Sequence, residues 1–146
     1  LVDLAFEPGI NDFRGTRSVQ LLLRDVRPSR MPGDPSVGMA RRFRSGASLL
    51  PMERAILLPD RSDMGRIWRY LTRRARRFDE ETDTLLPDIA LRSGVPVPGR
   101  VLICLWVLDE LGLIHLTETE GIMEISIPRF EGKADLSKSA LLQNLR

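Results

Sequence analysis

Pro98-Gly-Arg-Val-Leu-Ile-Cys-Leu-Trp-Val-Leu-Asp-Glu-Leu-Gly112 runs directly into Leu113-Ile-His-Leu-Thr-Glu118 and then, across Gly121, into Ile122-Met-Glu-Ile-Ser-Ile127. Proline is preorganised for the first turn of a helix and glycine for the residue past its end, so the first stretch predicts a helix opened by Pro98 and terminated by Gly112. Val101, Leu102, Leu105, Leu108 and Leu111 recur at helical spacing and form its buried stripe. The two shorter runs predict a β-hairpin around Gly121. Upstream, Pro87 opens a short helix through Arg92, Gly94 lies beyond its end, and Val95-Pro96-Val97 makes the intervening turn. Helix, turn, helix and hairpin together predict a winged helix, so residues 59–146 are expected to form a winged-helix-like C-terminal domain with a C-terminal tail.

A further helix is predicted before these, from about residue 61 to 77, with Asp60 and Ser62 as candidate starts. Met64, Ile67, Trp68, Leu71, Ala75 and Phe78 supply its apolar stripe. The opposite side carries Arg66, Arg69, Arg73 and Arg77 three or four residues apart, a ladder of guanidinium groups along one line. Arginine matches phosphate geometry, which makes this line the best phosphate-facing surface in the chain. The competing reading is a solvated helix face whose arginines pair with Asp79, Glu80 and Glu81.

Residues 28–58 carry prolines at 28, 32, 35 and 51 among arginines and glycines, and Pro32-Gly33-Asp34-Pro35 interrupts regular structure. They are expected to form a flexible, basic linker.

Residues 1–27 read as two strands. Leu1-Val-Asp-Leu-Ala-Phe6 begins without Met and leads through Asn11-Asp-Phe-Arg-Gly15 into the run Val19 to Val26. There Val19, Leu21 and Leu23 alternate with Ser18, Gln20 and Arg24, giving one dry face and one wet face. A two-stranded ribbon is marginal alone in water, so the expectation is the end of a larger OB-type barrel belonging to a longer protein. Barrels of that type hold single strands with basic grooves and aromatic platforms. The candidates are Phe13, Arg14, Arg17, Gln20 and Arg24, with Phe13 either a stacking platform or an aromatic covering the end of a core.

Several function classes are excluded on composition. The net charge of +2 is too small for a nonspecific polycation, so phosphate binding must come from local clusters such as those above. The longest apolar run, Val101 to Leu108, is far below the roughly 20 residues that span a bilayer, and the cytoplasm is the expected compartment, with no membrane partner. The single cysteine, Cys104, lies inside that run and reads as a buried thiol. With one histidine, His115, and no nearby Asp/His cluster, the chain holds no metal site, Ser/His/Asp set or phosphate loop, so no catalytic residue is assigned.

Val2-Asp-Leu-Ala-Phe-Glu7, Asn11-Asp-Phe-Arg-Gly15 and Ser18-Val-Gln-Leu-Leu-Leu-Arg-Asp-Val-Arg27 resemble the last two strands of the OB domain in RecJ-type single-stranded-DNA exonucleases. Leu58-Pro-Asp-Arg-Ser-Asp-Met-Gly-Arg66 and Lys133-Ala-Asp-Leu-Ser-Lys-Ser139 are similar to the additional C-terminal domain of some members. Where members often have Glu and Trp after the turn's Asn, this chain has Asp12 and Phe13. The resemblance implies a 5′-to-3′ exonuclease whose catalytic core, of the DHH phosphoesterase type, holds divalent manganese or magnesium and lies outside this chain. It also implies single-stranded DNA, the rest of the exonuclease and another repair protein as partners.

The overall expectation is an α+β chain: hairpin remnant of an OB-type barrel, flexible linker, winged helix. Its leading function is that of an accessory region that binds and positions single-stranded DNA at Phe13, Arg14, Arg17, Gln20, Arg24, Arg66, Arg69 and Arg73. The alternatives are a protein-interaction module and a winged-helix regulator of duplex DNA. Against the last, the second helix of the turn motif offers only Arg100 beside Trp106, Asp109 and Glu110, and the wing carries Glu118, Glu120 and Glu124.

Overall fold

The computed structural model describes residues 2–28, 33–129 and 134–146. The mixed α+β chain divides into two compact units, Leu1–Pro32 and Gly33–Arg146. It contains two small antiparallel sheets.

The first unit is a long hairpin of β1 (Val2–Phe13) and β2 (Thr16–Pro28). Its turn is narrower than the Asn11–Gly15 loop expected from sequence. Arg14 (φ 52°) and Gly15 (φ 80°) alone occupy it, both left-handed, as a two-residue turn between right-twisted strands demands. Directly opposed residues share a face, so the register puts Leu4, Phe6, Ile10, Val19, Leu21, Leu23 and Val26 together on one side. All seven are exposed. The other side carries Glu7, Asn11, Ser18 and Gln20, and the register slips by one residue at Arg24.

The second unit begins where a linker was expected, and here the structure corrects the sequence reading. Asp34 accepts a hydrogen bond from Ser36 N (2.8 Å), Pro35 takes the first turn, and α1 runs over Pro35–Arg44. A second helix, α2 (Pro51–Leu57), starts with proline again, and Glu53 accepts from Leu50 N (2.9 Å). Val37, Ala40, Leu49 and Leu57 are buried. Proline at the first helical position initiates a helix as readily as proline elsewhere breaks one, and burial of these apolar residues decides the outcome. The expected linker's residues 29–32, like Lys133 near the C-terminus, lie outside the described residues.

Helix α3 (Arg61–Arg73) starts in a reciprocal capping pair, Asp60 accepting from Asp63 N (2.7 Å) and Asp63 accepting from Asp60 N (3.1 Å). It is shorter than the expected 61–77. Arg77–Glu81 forms β3 instead, so Ala75, Arg77 and Phe78 are not on the helix. Next comes α4 (Thr82–Ser93), which starts five residues before the expected Pro87 and carries that proline inside. Thr82 N donates to Gly121 O (2.8 Å), and Leu85 and Leu86 are buried, which anchors the extra turn to the Gly121 turn and the core. Gly94, left-handed at φ 72°, ends it.

Helix α5 (Pro98–Glu110) follows at 93° to α4, and Gly112 takes φ 71° beyond it, as the opening stretch predicts. Val101 through Leu108 are all buried, so the expected single stripe is replaced by burial on every side, with α1 and α2 packing against it as well as α3 and α4. Strands β4 (His115–Thr119) and β5 (Ile122–Ser126) form the hairpin, and β5 is central in the order β3-β5-β4. The tail adds a 3-10 turn and α6 (Ala140–Leu145), which buries Leu142 and Leu145. No single helix among the described residues is long and apolar enough to cross a membrane.

Candidate nucleic-acid interface

The sequence-predicted residues fall into two groups, one in each unit. Within the hairpin, Phe13 is exposed at the end of β1, and the Arg14 guanidinium lies over its ring at 5.2 Å. Phe13 therefore does not cover a core within its own unit. Gln20 lies on the same side as Phe13, opposite Gly9, whereas Arg17 sits opposite Asp12 on the apolar side. Both flanking arginines are partnered: Arg17 with Asp12 (3.3 Å) and Arg24 with Glu7 (2.5 Å). These pairs are exposed, contribute little to stability, and leave the arginines available for exchange onto phosphate.

Arg66, Arg69 and Arg73 come together on α3, and the structure gives them company that the sequence did not disclose. They line, with Tyr70 and Arg74, an open cavity of about 470 Å³ closed on its other side by Asp88, Arg92 and Ser93 of α4. Five guanidinium groups thus face one carboxylate. The ladder loses Arg77, which lies in β3 and pairs with Glu124 (2.8 Å).

Each lining residue has a distinct commitment. Asp88 accepts from Arg92 Nε (2.7 Å) and from the Tyr70 hydroxyl (3.0 Å), and the Tyr70 oxygen accepts from Arg74 (2.9 Å). The Arg92 hydrogen bond holds the Asp88 carboxyl below its ordinary range, and Arg92 is raised in return by Asp88. Burial pushes the Tyr70 phenol up, and donation to Asp88 adds to the effect. Arg74 pairs with Glu80 and stacks over Phe78 at 4.3 Å. Arg66 pairs with Asp63 (2.5 Å), which is 1% exposed and also pairs with Arg100 (3.3 Å). Arg69 donates only to the Gly65 carbonyl (3.2 Å), and Arg73 has no partner among the described residues. Of the expected carboxylates Asp79, Glu80 and Glu81, only Glu80 pairs with an arginine near α3, and that arginine is Arg74.

The acidity of the β4–β5 hairpin is also partly neutralised. Glu118 accepts from Arg41 of α1 (2.6 Å) and from the Thr82 hydroxyl (2.9 Å), and the Arg41 hydrogen bond lowers its carboxyl while Arg41 itself is raised. Trp106 is buried with Arg44 over its ring at 4.6 Å, so it is a core residue. Cys104 is buried, and burial pushes its thiol up, away from the reactive thiolate. His115 is exposed on β4, and among the described residues no three His, Cys, Asp or Glu side chains group as metal ligands.

The signal for Tyr70, Asp88 and Arg92 was absent from local sequence, because α3 and α4 meet only after β3 has reversed the chain between them. No protein-family model matches the chain, and no curated protein or solved structure shows significant similarity to it.

Proposed function

We propose that this chain is a single-stranded-DNA-binding and positioning region of a RecJ-like 5′-to-3′ exonuclease, acting in the cytoplasm in DNA repair and recombination. The observation that carries the binding role is the cavity between α3 and α4, where five arginines face one aspartate and Arg69 and Arg73 have no acidic partner among the described residues. Such a surface replaces condensed counterions along a strand without reading its bases. The arrangement of α3, β3, α4, α5, β4 and β5, with strand order β3-β5-β4, supports the winged-helix reading. The hairpin's apolar and polar sides support two strands of an OB-type sheet, on whose polar side Phe13 stacks a base beside Gln20 and Arg24. On this reading, phosphodiester cleavage belongs to the metal-holding core elsewhere in the protein, and this region orients the strand.

A duplex regulator is disfavoured, because α5 is buried from Val101 through Leu108 and Arg100 is engaged with the carbonyls of Ile56 (2.8 Å) and Ala55 (3.1 Å). A protein-interaction module has one specific observation in its favour, the exposed apolar face of the hairpin.

Fluorescence anisotropy with a labelled oligothymidylate tests the proposal. Changing Arg66, Arg69 and Arg73 together to Glu is expected to weaken binding by on the order of a hundredfold and to flatten its dependence on salt, since each lost phosphate contact removes about 0.7 from the logarithmic slope. Unchanged affinity in the triple variant selects the protein-interaction module.

A further inference from the structure

Two side-chain atoms among the described residues are buried with no hydrogen-bond partner, Arg66 Nε and Ser93 Oγ, and both residues line the cavity between α3 and α4. Leaving a buried donor unsatisfied is costly, so two such groups in the wall of one arginine-rich cavity mark a place where an acceptor belongs. Arg66 reaches the end of α4 where Ser93 lies: a Cβ on Gly94, the residue after Ser93, would lie 3.7 Å from Arg66 Nη1. One acceptor can serve both, and the charge of Arg73, in the same lining and without a partner among the described residues, favours an anion with several oxygens.

We infer that this cavity is a seat for a single phosphate group, with Arg66 Nε and Ser93 Oγ as its short-range donors and Arg73 as its uncompensated charge. Both donors turn toward the cavity when the group is seated. Arg66 is free to do so because the Asp63 carboxylate, if released, keeps Arg100 and the Asp60 N–H as donors. Asp88 does not compete for these donors, since Arg92 and Tyr70 already occupy its oxygens. The inference rests on the strand-binding reading for its biological ligand, and it adds a discrete site, reaching onto α4, to a surface that otherwise only tracks charge. The same chemistry is offered by a backbone diester or by a terminal monoester.

Nitrogen-15 spectra of the arginine Nε–H groups in the full chain test it, with the Arg66 signal assigned by its loss in Arg66→Lys. Inorganic phosphate, titrated at constant ionic strength, is expected to shift that signal saturably. Ser93→Ala is expected to weaken phosphate on the order of tenfold, and Ser93→Thr, which keeps the hydroxyl, to retain affinity. A hydroxyl-ended oligothymidylate that produces the same shift identifies a diester, and a shift seen only with its phosphorylated form identifies a monoester. An Arg66 signal that phosphate does not move, or equal affinity in Ser93→Ala, overturns the seat even if the oligonucleotide binds, in which case strand binding stands alone. Saturable phosphate binding without oligonucleotide binding upholds the seat and removes the strand-binding reading. An oligoglutamate peptide that shifts the signal where phosphate does not would assign the cavity to a carboxylate partner and overturn the proposal.

Discussion

Glu118 shows how a single residue changes meaning between sequence and structure. In the sequence it is one of three acidic residues on a wing, repelling phosphate; in the fold its carboxylate is taken by Arg41 and Thr82, tying α1 to the start of α4 and to β4. Its carboxyl is lowered chiefly by the Arg41 hydrogen bond, against the opposing effect of burial. A group whose folded pKa is depressed adds stability above its unfolded value and loses it as pH falls through the folded one. The Glu118→Gln variant is therefore expected to cost up to about 1 kcal/mol at pH 7, given that Arg41 is half exposed, and less near pH 3. Urea denaturation of both proteins at the two pH values checks this. A gap of equal size at both would mean that the pair contributes through shape and not through charge.

At the scale of elements, the decisive seam lies between α1 and α5. Gly99 N donates to Ser36 Oγ (2.8 Å), and a Cβ added at Gly99 would meet the Ser36 carbonyl oxygen at 2.1 Å. Backbone cannot move aside as a side-chain end can, so Gly99→Ala must push α1 off the helix it covers. The expected loss is about 3 kcal/mol or more, read as a lower urea midpoint, and a change below about 1 kcal/mol would mean that α1 is only loosely applied. This seam also shows what local sequence does and does not disclose. The α5 segment was legible because Pro98, an unbroken apolar run and Gly112 all point to the same element. The β4–β5 hairpin was legible through Gly121, and α3 through the spacing of Met64, Ile67 and Leu71. Helix α1 was not, because the Asp34-Pro35 pair that caps and starts it is the same punctuation that ends an element, and only burial of Val37 and Ala40 distinguishes the two uses. Strand β3 was missed for a different reason: Arg-Phe-Asp-Glu-Glu continues the charged tail of a helix and becomes a strand only by pairing with β5, some 45 residues later. The candidate site was half legible for the same cause. Arg66, Arg69 and Arg73 follow from one helix's period, whereas Ser93, Asp88 and Arg92 arrive through tertiary contact.

For the whole molecule, the distribution of buried apolar surface sets what each unit does alone. The continuous core lies in Gly33–Arg146, where α5 is enclosed by the four helices that precede it in the chain. The hairpin unit, by contrast, presents Phe6, Ile10, Val19 and Leu21 to solvent with about half or more of each exposed, and a two-stranded ribbon has no second layer of its own against which to bury them. Residues 33–146 expressed alone are therefore expected to melt cooperatively within about 2 °C of the full chain, a difference of less than about 0.5 kcal/mol at this size. They should also retain the phosphate response of Arg66, because every residue invoked for the seat lies in that unit. A peptide of residues 1–32 is expected to show no cooperative β-sheet transition by circular dichroism. If instead the shortened protein loses its cooperative transition, the second unit does not fold independently of residues 1–32. If it melts unchanged but binds oligothymidylate several-fold more weakly, then residues of the hairpin, with Phe13, Gln20 and Arg24 as the candidates, contribute to strand binding in their own right.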